Sequence, residues 1–152
     1  MASMRKMDDT GPPGGGMGFP QIPPGGLLYG LGIDVTEAAR IRRLLERLPR
    51  AYERLFSEQE RAYCDGFSDP WPRYAARFAA KEAVGKALGI GIIGFVWRDI
   101  EVLSGGKPLI ALHGGVADIA RRLGVTRVEV SLSHTGGLAY AVAAALKEDA
   151  HG

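Results

Sequence analysis

"RFAAKEAVGKALG", Arg77–Gly89, sets Arg77, Lys81, Glu82 and Lys86 among residues that are otherwise Ala, Gly, Phe, Val and Leu. A segment so small-sided suits a closely packed helix. Pro72 fits the first turn of that helix and Gly89 its end, so the spacing predicts one long helix between them. On it Glu82 and Lys86 are i, i+4 neighbours and share a side with Ala75, Phe78 and Ala79. Two readings follow. One is an ordinary Glu–Lys pair contributing about 0.2–0.5 kcal/mol. The other is an acid and an ammonium kept among apolar neighbours by strong partners, a metal ion for the acid and a phosphate for the ammonium. Arg77 and Lys81, also i, i+4, project from another side, where a solvated face and a functional one are both open.

Working outward, "LLYGLGID" (Leu27–Asp34) has the length and apolarity of a buried strand. A helix follows, with Ile41, Leu44, Leu45 and Leu48 on one inward face and Pro49 at its end. "SEQE" (Ser57–Glu60) is a capping-box pattern opening a short second helix, and "SDPWP" is a break. Beyond Gly89, "FVWRDIEVL" (Phe95–Leu103) and "PLIAL" (Pro108–Leu112) read as strands joined by a Gly-rich hairpin turn. "GVADIARRLG" gives a short helix with Val116, Ile119, Ala120 and Leu123 inward. "RVEVSLSH" alternates as a half-buried strand, and "LAYAVAAAL" closes the domain as a strand or short helix. The predicted class is α+β, with a mostly antiparallel sheet packed on the long helix.

A chain of 152 residues, 46% apolar and 24% charged, fits one soluble globular domain. The net charge of +2 is too small to argue for nucleic acid by itself. The single cysteine, Cys64, excludes a disulfide scaffold and a cysteine-rich zinc site. No segment approaches the roughly 20 apolar residues needed to span a bilayer, and the N-terminus lacks a signal-peptide core; the expected compartment is the cytoplasm. Residues 1–26 hold seven of the 22 glycines, five of the nine prolines and all four methionines. They read as a Gly/Pro-rich flexible leader to a domain over 27–147, with a short tail at 148–152.

Candidate chemistry is scattered along this frame. Asp34 ends the first strand, where it can cap the next helix with Glu37 in the capping-box position, or bind a hard cation such as Mg²⁺. "GGKP" (Gly105–Pro108) sets Lys107 beside backbone that a phosphate could approach. "GIGIIG" (Gly89–Gly94) sits in the wrong context for a dinucleotide loop. In "SLSHT", Ser133 and His134 are strand neighbours pointing to opposite faces, which argues against a Ser–His catalytic pair. Arg40, Arg43, Arg47 and Arg50 form a helical stripe about 80° wide. Residues 40–50 carry five arginines against one glutamate, which favours an acidic docking partner.

Taken together, "GLGIDVTEAARI", "RFAAKEAVGKALG", "GGKP" and "VSLSHT" resemble the holo-[acyl-carrier-protein] synthase family of small phosphopantetheinyl transferases, from about Tyr29 to Leu146. The resemblance implies the phosphopantetheinyl transferase fold. It also implies transfer of the 4′-phosphopantetheine arm of coenzyme A to a serine of apo acyl carrier protein, with release of adenosine 3′,5′-bisphosphate. It makes Asp34, Glu82 and Lys86 catalytic, with Asp34 and Glu82 as Mg²⁺ ligands and Lys86 on the CoA diphosphate. Arg77, Lys107, Ser133 and His134 become further CoA-binding positions. Arg40, Arg43 and Arg47 become the dock for the carrier's acidic helix. It implies a homotrimer with CoA sites at subunit interfaces. A metal-associated water and a carboxylate both stay open as acceptor of the serine proton. The arginine stripe lacks aromatic interleaving for stacking, so no nucleic-acid partner is expected, and without a spanning segment no membrane one. The alternative is a non-catalytic CoA- or nucleotide-binding module.

Overall fold

β1 (Gly26–Glu37) leads into four helices, α1 (Ala38–Arg47), α2 (Ala51–Leu55), α3 (Glu58–Asp65) and α4 (Trp71–Leu88). A 3₁₀ turn at Trp97–Asp99 precedes the hairpin β2 (Ile100–Leu103) and β3 (Leu109–Leu112). Helix α5 (Gly114–Leu123) then precedes β4 (Arg127–Thr135) and β5 (Leu138–Glu148). This computed structural model describes residues 26–91 and 96–148. The expected leader and tail lie outside the described residues, apart from Gly26 and Glu148, which belong to strands; so do Phe95 and the second half of "GIGIIG".

β1, β5 and β4 form a three-stranded antiparallel sheet in that spatial order, and β2 with β3 a separate antiparallel pair. The expected α+β class with antiparallel strands therefore holds. The closing segment, open between strand and helix in the sequence, is the central strand: both its edges are hydrogen-bonded, which demands the extended form. No described helix is long and apolar enough to cross a membrane.

The sheet rests on α4 through glycine. A Cβ on Gly30 would lie 2.1 Å from the Ala87 carbonyl oxygen, and one on Gly32 would lie 1.8 Å from that of Ala83. Only a bare backbone fits at these two points. The helix answers with Ala79, Ala80, Ala83 and Ala87, all buried. That accounts for the composition of Arg77–Gly89: the helix is enclosed almost all round, and larger side chains would force the layers apart.

One core cluster joins α4 to the sheet, β2 and α5 through Val84, Ile100, Val116, Val130 and Ala143. A second packs α1, α2 and α3 on the first half of α4 through Ile41, Leu45, Phe56, Cys64 and Tyr74. The capping box forms as expected, with Ser57 Oγ accepting from the Glu60 amide at 3.2 Å and the Glu60 carboxylate accepting from the Ser57 amide at 2.8 Å. Several expectations need correction. The strand expected buried over Leu27–Asp34 exposes Leu27, Leu28, Leu31 and Ile33, because only one of its faces meets α4. The strand expected over Phe95–Leu103 is only Ile100–Leu103. Leu48 is exposed rather than inward, because α1 ends at Arg47 and Leu48 is only its C-cap. The turn after Pro49 is itself helical, so α2 intervenes before the capping box.

Candidate active site

Asp34 caps no helix. The β1–β5 ladder continues past it, pairing Asp34 with Ala141 and Glu37 with Leu138, and this holds the chain extended up to α1. Glu37 takes the N-cap position without a side-chain capping bond. Strand alternation puts Gly30, Gly32, Asp34 and Thr36 on the face toward α4. The buried Thr36 hydroxyl donates to Asp34 Oδ2 at 2.9 Å.

Lys86 reaches across from α4. Its Nζ donates to the Ile33 carbonyl at 2.8 Å and to Asp34 Oδ1 at 3.2 Å. The ordinary Glu82–Lys86 helix pair is therefore not the arrangement found: the ammonium is directed at the strand. Glu82, one turn before it, is half-buried. Burial pushes the Glu82 carboxyl above its usual range, and the Asp34 charge pushes the same way, against the pull of Lys86 and Arg40. Two carboxylates thus converge in a partly dry place without full neutralisation. Among the described residues no set of three or more His, Cys, Asp or Glu could hold a metal. A pair of hard carboxylate oxygens, with water and phosphate completing the shell, is the donor set Mg²⁺ takes. The residues fit that ion.

The other side of α4 is not solvated. Lys81 is wholly buried, and its Nζ donates to Glu60 Oε2 at 2.8 Å, the Ile100 carbonyl at 2.6 Å and the Trp97 carbonyl at 3.2 Å. Burial lowers its pKa, and Glu60 opposes that fall. Glu60 also accepts from the Val102 amide at 3.0 Å. All three ammonium protons are used, so Lys81 ties α3, α4 and β2 together and faces no ligand. The capping box marks Glu60 in the sequence; nothing there marks its ion pair.

Arg77 is only 6% exposed. Its Nη2 donates to Ser104 Oγ at 2.6 Å, its guanidinium lies 4.1 Å from the Tyr63 ring centroid, and its Nε is buried with no partner. It lines a cavity of about 330 Å³ together with Arg73, Ser104, Gly105, Gly106 and His134. Gly105 and Gly106 have φ of 126° and 143°, so the hairpin bends there as only glycine readily allows. Arg73, Tyr63 and Ser104 escaped the sequence reading, although Arg73 stands at i−4 from Arg77.

Two expected CoA-binding residues lie off this cavity. Lys107 Nζ pairs with Glu129 at 2.9 Å, and that buried carboxylate is also paired with Arg127. Ser133 is exposed and sits across from Tyr140, on the opposite strand face to His134. Arg40, Arg43 and Arg47 are exposed, and with Leu44 and Leu48 they line a concavity of about 490 Å³. The exposed Leu48 thus gives the basic stripe an apolar floor.

Comparison with known proteins identifies the family and the fold. The family described as the 4′-phosphopantetheinyl transferase superfamily matches residues 30–143. A holo-[acyl-carrier-protein] synthase of Anaeromyxobacter dehalogenans is 51% identical over 129 residues, spanning 82% of this chain and 98% of that protein. The holo-[acyl-carrier-protein] synthase structure from Neisseria meningitidis superimposes with a TM-score of 0.71 at 31% identity, covering 78% of this chain and 98% of that one. That of Bacillus anthracis, solved in complex with CoA (3′,5′-ADP), gives a TM-score of 0.65 at 32% identity over 80% of this chain and 98% of that one.

Proposed function

Since this chain belongs to the 4′-phosphopantetheinyl transferase superfamily, we propose that it transfers phosphopantetheine from coenzyme A to apo acyl carrier protein at the Asp34–Glu82–Lys86 cluster. The carrier serine oxygen attacks the pantetheine-side phosphorus of the CoA diphosphate, its hydroxyl proton passing to a carboxylate or a water of the site. A new P–O bond forms, the bond to the bridging oxygen breaks, and adenosine 3′,5′-bisphosphate leaves. The observation that carries this reading is the meeting of Lys86 and Asp34 at 3.2 Å beside the half-buried Glu82.

Such a transfer is catalysed mainly by positioning and by stabilising charge on the phosphoryl oxygens. Mg²⁺ held by Asp34 and Glu82 would withdraw charge from the diphosphate. The Lys86 ammonium does the same from the helix side. Lys86 is half-exposed while the Asp34 side chain is only 13% exposed, so the ammonium can turn from that carboxylate to a phosphate oxygen arriving from solvent. Arg77 and His134, lining one cavity, hold the adenosine 3′,5′-bisphosphate half; the Bacillus anthracis relative, solved in complex with CoA (3′,5′-ADP), supports CoA as the ligand.

The carrier docks on Arg40, Arg43 and Arg47. Arg40 is close enough to Glu82 to draw its pKa down, so an acidic helix lying on the stripe brings its serine to the carboxylates. Leu31 (62% exposed), Ile33 (61%) and Val35 (48%) alternate on the β1 face turned away from α4, and Val142 on β5 lies opposite Ile33. An apolar strip of this kind suits burial against further copies of the chain, and we assign it to a homotrimer. With these substrates the reaction belongs to the cytoplasm.

The test is direct. Incubated with CoA, Mg²⁺ and an apo carrier protein, the chain should raise the acceptor's intact mass by one phosphopantetheine. CoA binding with no mass gain would leave only a binding module.

A further inference from the structure

Arg73 and Arg77 stand one turn apart on α4 and line the same cavity as His134. Each guanidinium lies on an aromatic ring: Arg73 is 4.0 Å from the Phe67 centroid and Arg77 is 4.1 Å from that of Tyr63. The two rings meet edge to face with centroids 5.2 Å apart. Two arginines spaced i, i+4 therefore rest on two aromatics spaced i, i+4. Stacking occupies the flat faces of the guanidiniums and leaves their in-plane N–H donors at the edges.

The cavity gathers this charge without a counter-ion. No lining residue is acidic, and among the described residues neither arginine has an ion pair. Arg77, which lines the cavity, is nine-tenths buried, and its buried Nε has no hydrogen-bond partner. Burying a donor without an acceptor is unfavourable unless a ligand supplies one. Two guanidinium edges beside an imidazole match a phosphate monoester, which carries close to two negative charges at neutral pH and three acceptor oxygens. CoA has one such group, the 3′-phosphate, once its diphosphate is engaged at Lys86.

We propose that Arg73 is a specificity residue that, beside Arg77, selects 3′-phosphorylated CoA over donors lacking that phosphate. The inference rests on reading this cavity as the adenosine 3′,5′-bisphosphate site. Arg73 contributes the outer guanidinium, Phe67 holds it flat, and Arg77 contributes the inner one.

The experiment compares the full chain with Arg73→Met, which keeps an unbranched stem for Phe67, and with Arg73→Lys, which keeps the charge. Donors are CoA and 3′-dephospho-CoA, read as kcat/KM for carrier modification. Calorimetry measures binding of adenosine 3′,5′-bisphosphate and of AMP. Losing one charge-assisted contact predicts a fall of about 10- to 100-fold in the CoA over dephospho-CoA ratio for Arg73→Met, mainly through KM, with partial recovery in Arg73→Lys. The bisphosphate over AMP affinity ratio should fall in step. An unchanged ratio in both measurements overturns the proposal, because a purely structural Arg73 would affect both ligands alike. Binding needs no turnover: if wild type modifies no carrier but its bisphosphate preference still depends on Arg73, the enzymatic reading fails and this one stands.

Discussion

Lys86 and Asp34 are 52 positions apart in the chain, yet their charged groups meet at 3.2 Å where β1 crosses α4. The meeting depends on how closely strand and helix approach, and Gly30 and Gly32 set that distance. The residues that look inert in "GLGID" are thus what carry Asp34 to Glu82 and Lys86.

Gly32→Ala should accordingly destabilise the fold. The obstacle is a backbone carbonyl 1.8 Å from the added Cβ, which no rotamer change relieves. Overpacking of this kind costs roughly 1–3 kcal/mol, occasionally more, and urea denaturation reads it as a lowered midpoint. A midpoint equal to wild type would mean that strand and helix are not in this contact.

The Glu60–Lys81 pair makes the opposite demonstration. Both side chains are fully buried, so Lys81→Met should strand the Glu60 carboxylate and cost about 3–5 kcal/mol. Lys81→Met with Glu60→Met should recover much of that loss, since no unpaired charge remains. Two independent losses that simply add would show that the residues are not coupled.

These cases mark what was legible in the sequence. The long helix, the Ser57–Glu60 cap and the β2–β3 hairpin are written in local spacing, and all three form, although the first hairpin strand is only Ile100–Leu103 because Trp97–Asp99 is a 3₁₀ turn. Lys81 was not legible as a core residue because its partner lies 21 positions away and periodicity carries no pairing information. Asp34 misled for a related reason: Asp followed three residues later by Glu imitates a capping box, and only the β1–β5 register shows that the strand continues. Lys107 sits beside glycines suited to phosphate approach, but Glu129, on another strand, holds its ammonium at 2.9 Å. The small residues of α4, by contrast, announced close packing correctly.

Cys64 supplies a pH prediction. Burial pushes its thiol from 9.0 up to about 12. Between those values the folded chain keeps a proton that the unfolded chain has lost, so this group's contribution is fully present below about pH 9 and declines as pH rises through the window. Alkylation at pH 8.5–9 (roughly the unperturbed thiol range) should be slow in the native protein and fast in urea. Rapid native labelling would contradict the burial.

The basic stripe should act on the carrier alone. Arg43→Glu with Arg47→Glu should raise KM for carrier protein by about tenfold or more and flatten its salt dependence, as expected when steering charges are reversed. KM for CoA should stay near wild type. An equal rise in both constants would move the dock elsewhere.

The central claim is that Asp34 and Glu82 jointly hold a divalent ion against the CoA diphosphate. Calorimetric titration of Mg²⁺ into the CoA-bound protein tests it most directly, in wild type, Asp34→Asn and Glu82→Gln. The account predicts saturable binding in wild type and a loss of about tenfold or more in either variant, as removal of one of two charged ligands requires. Wild-type Mg²⁺ affinity in Glu82→Gln would contradict it.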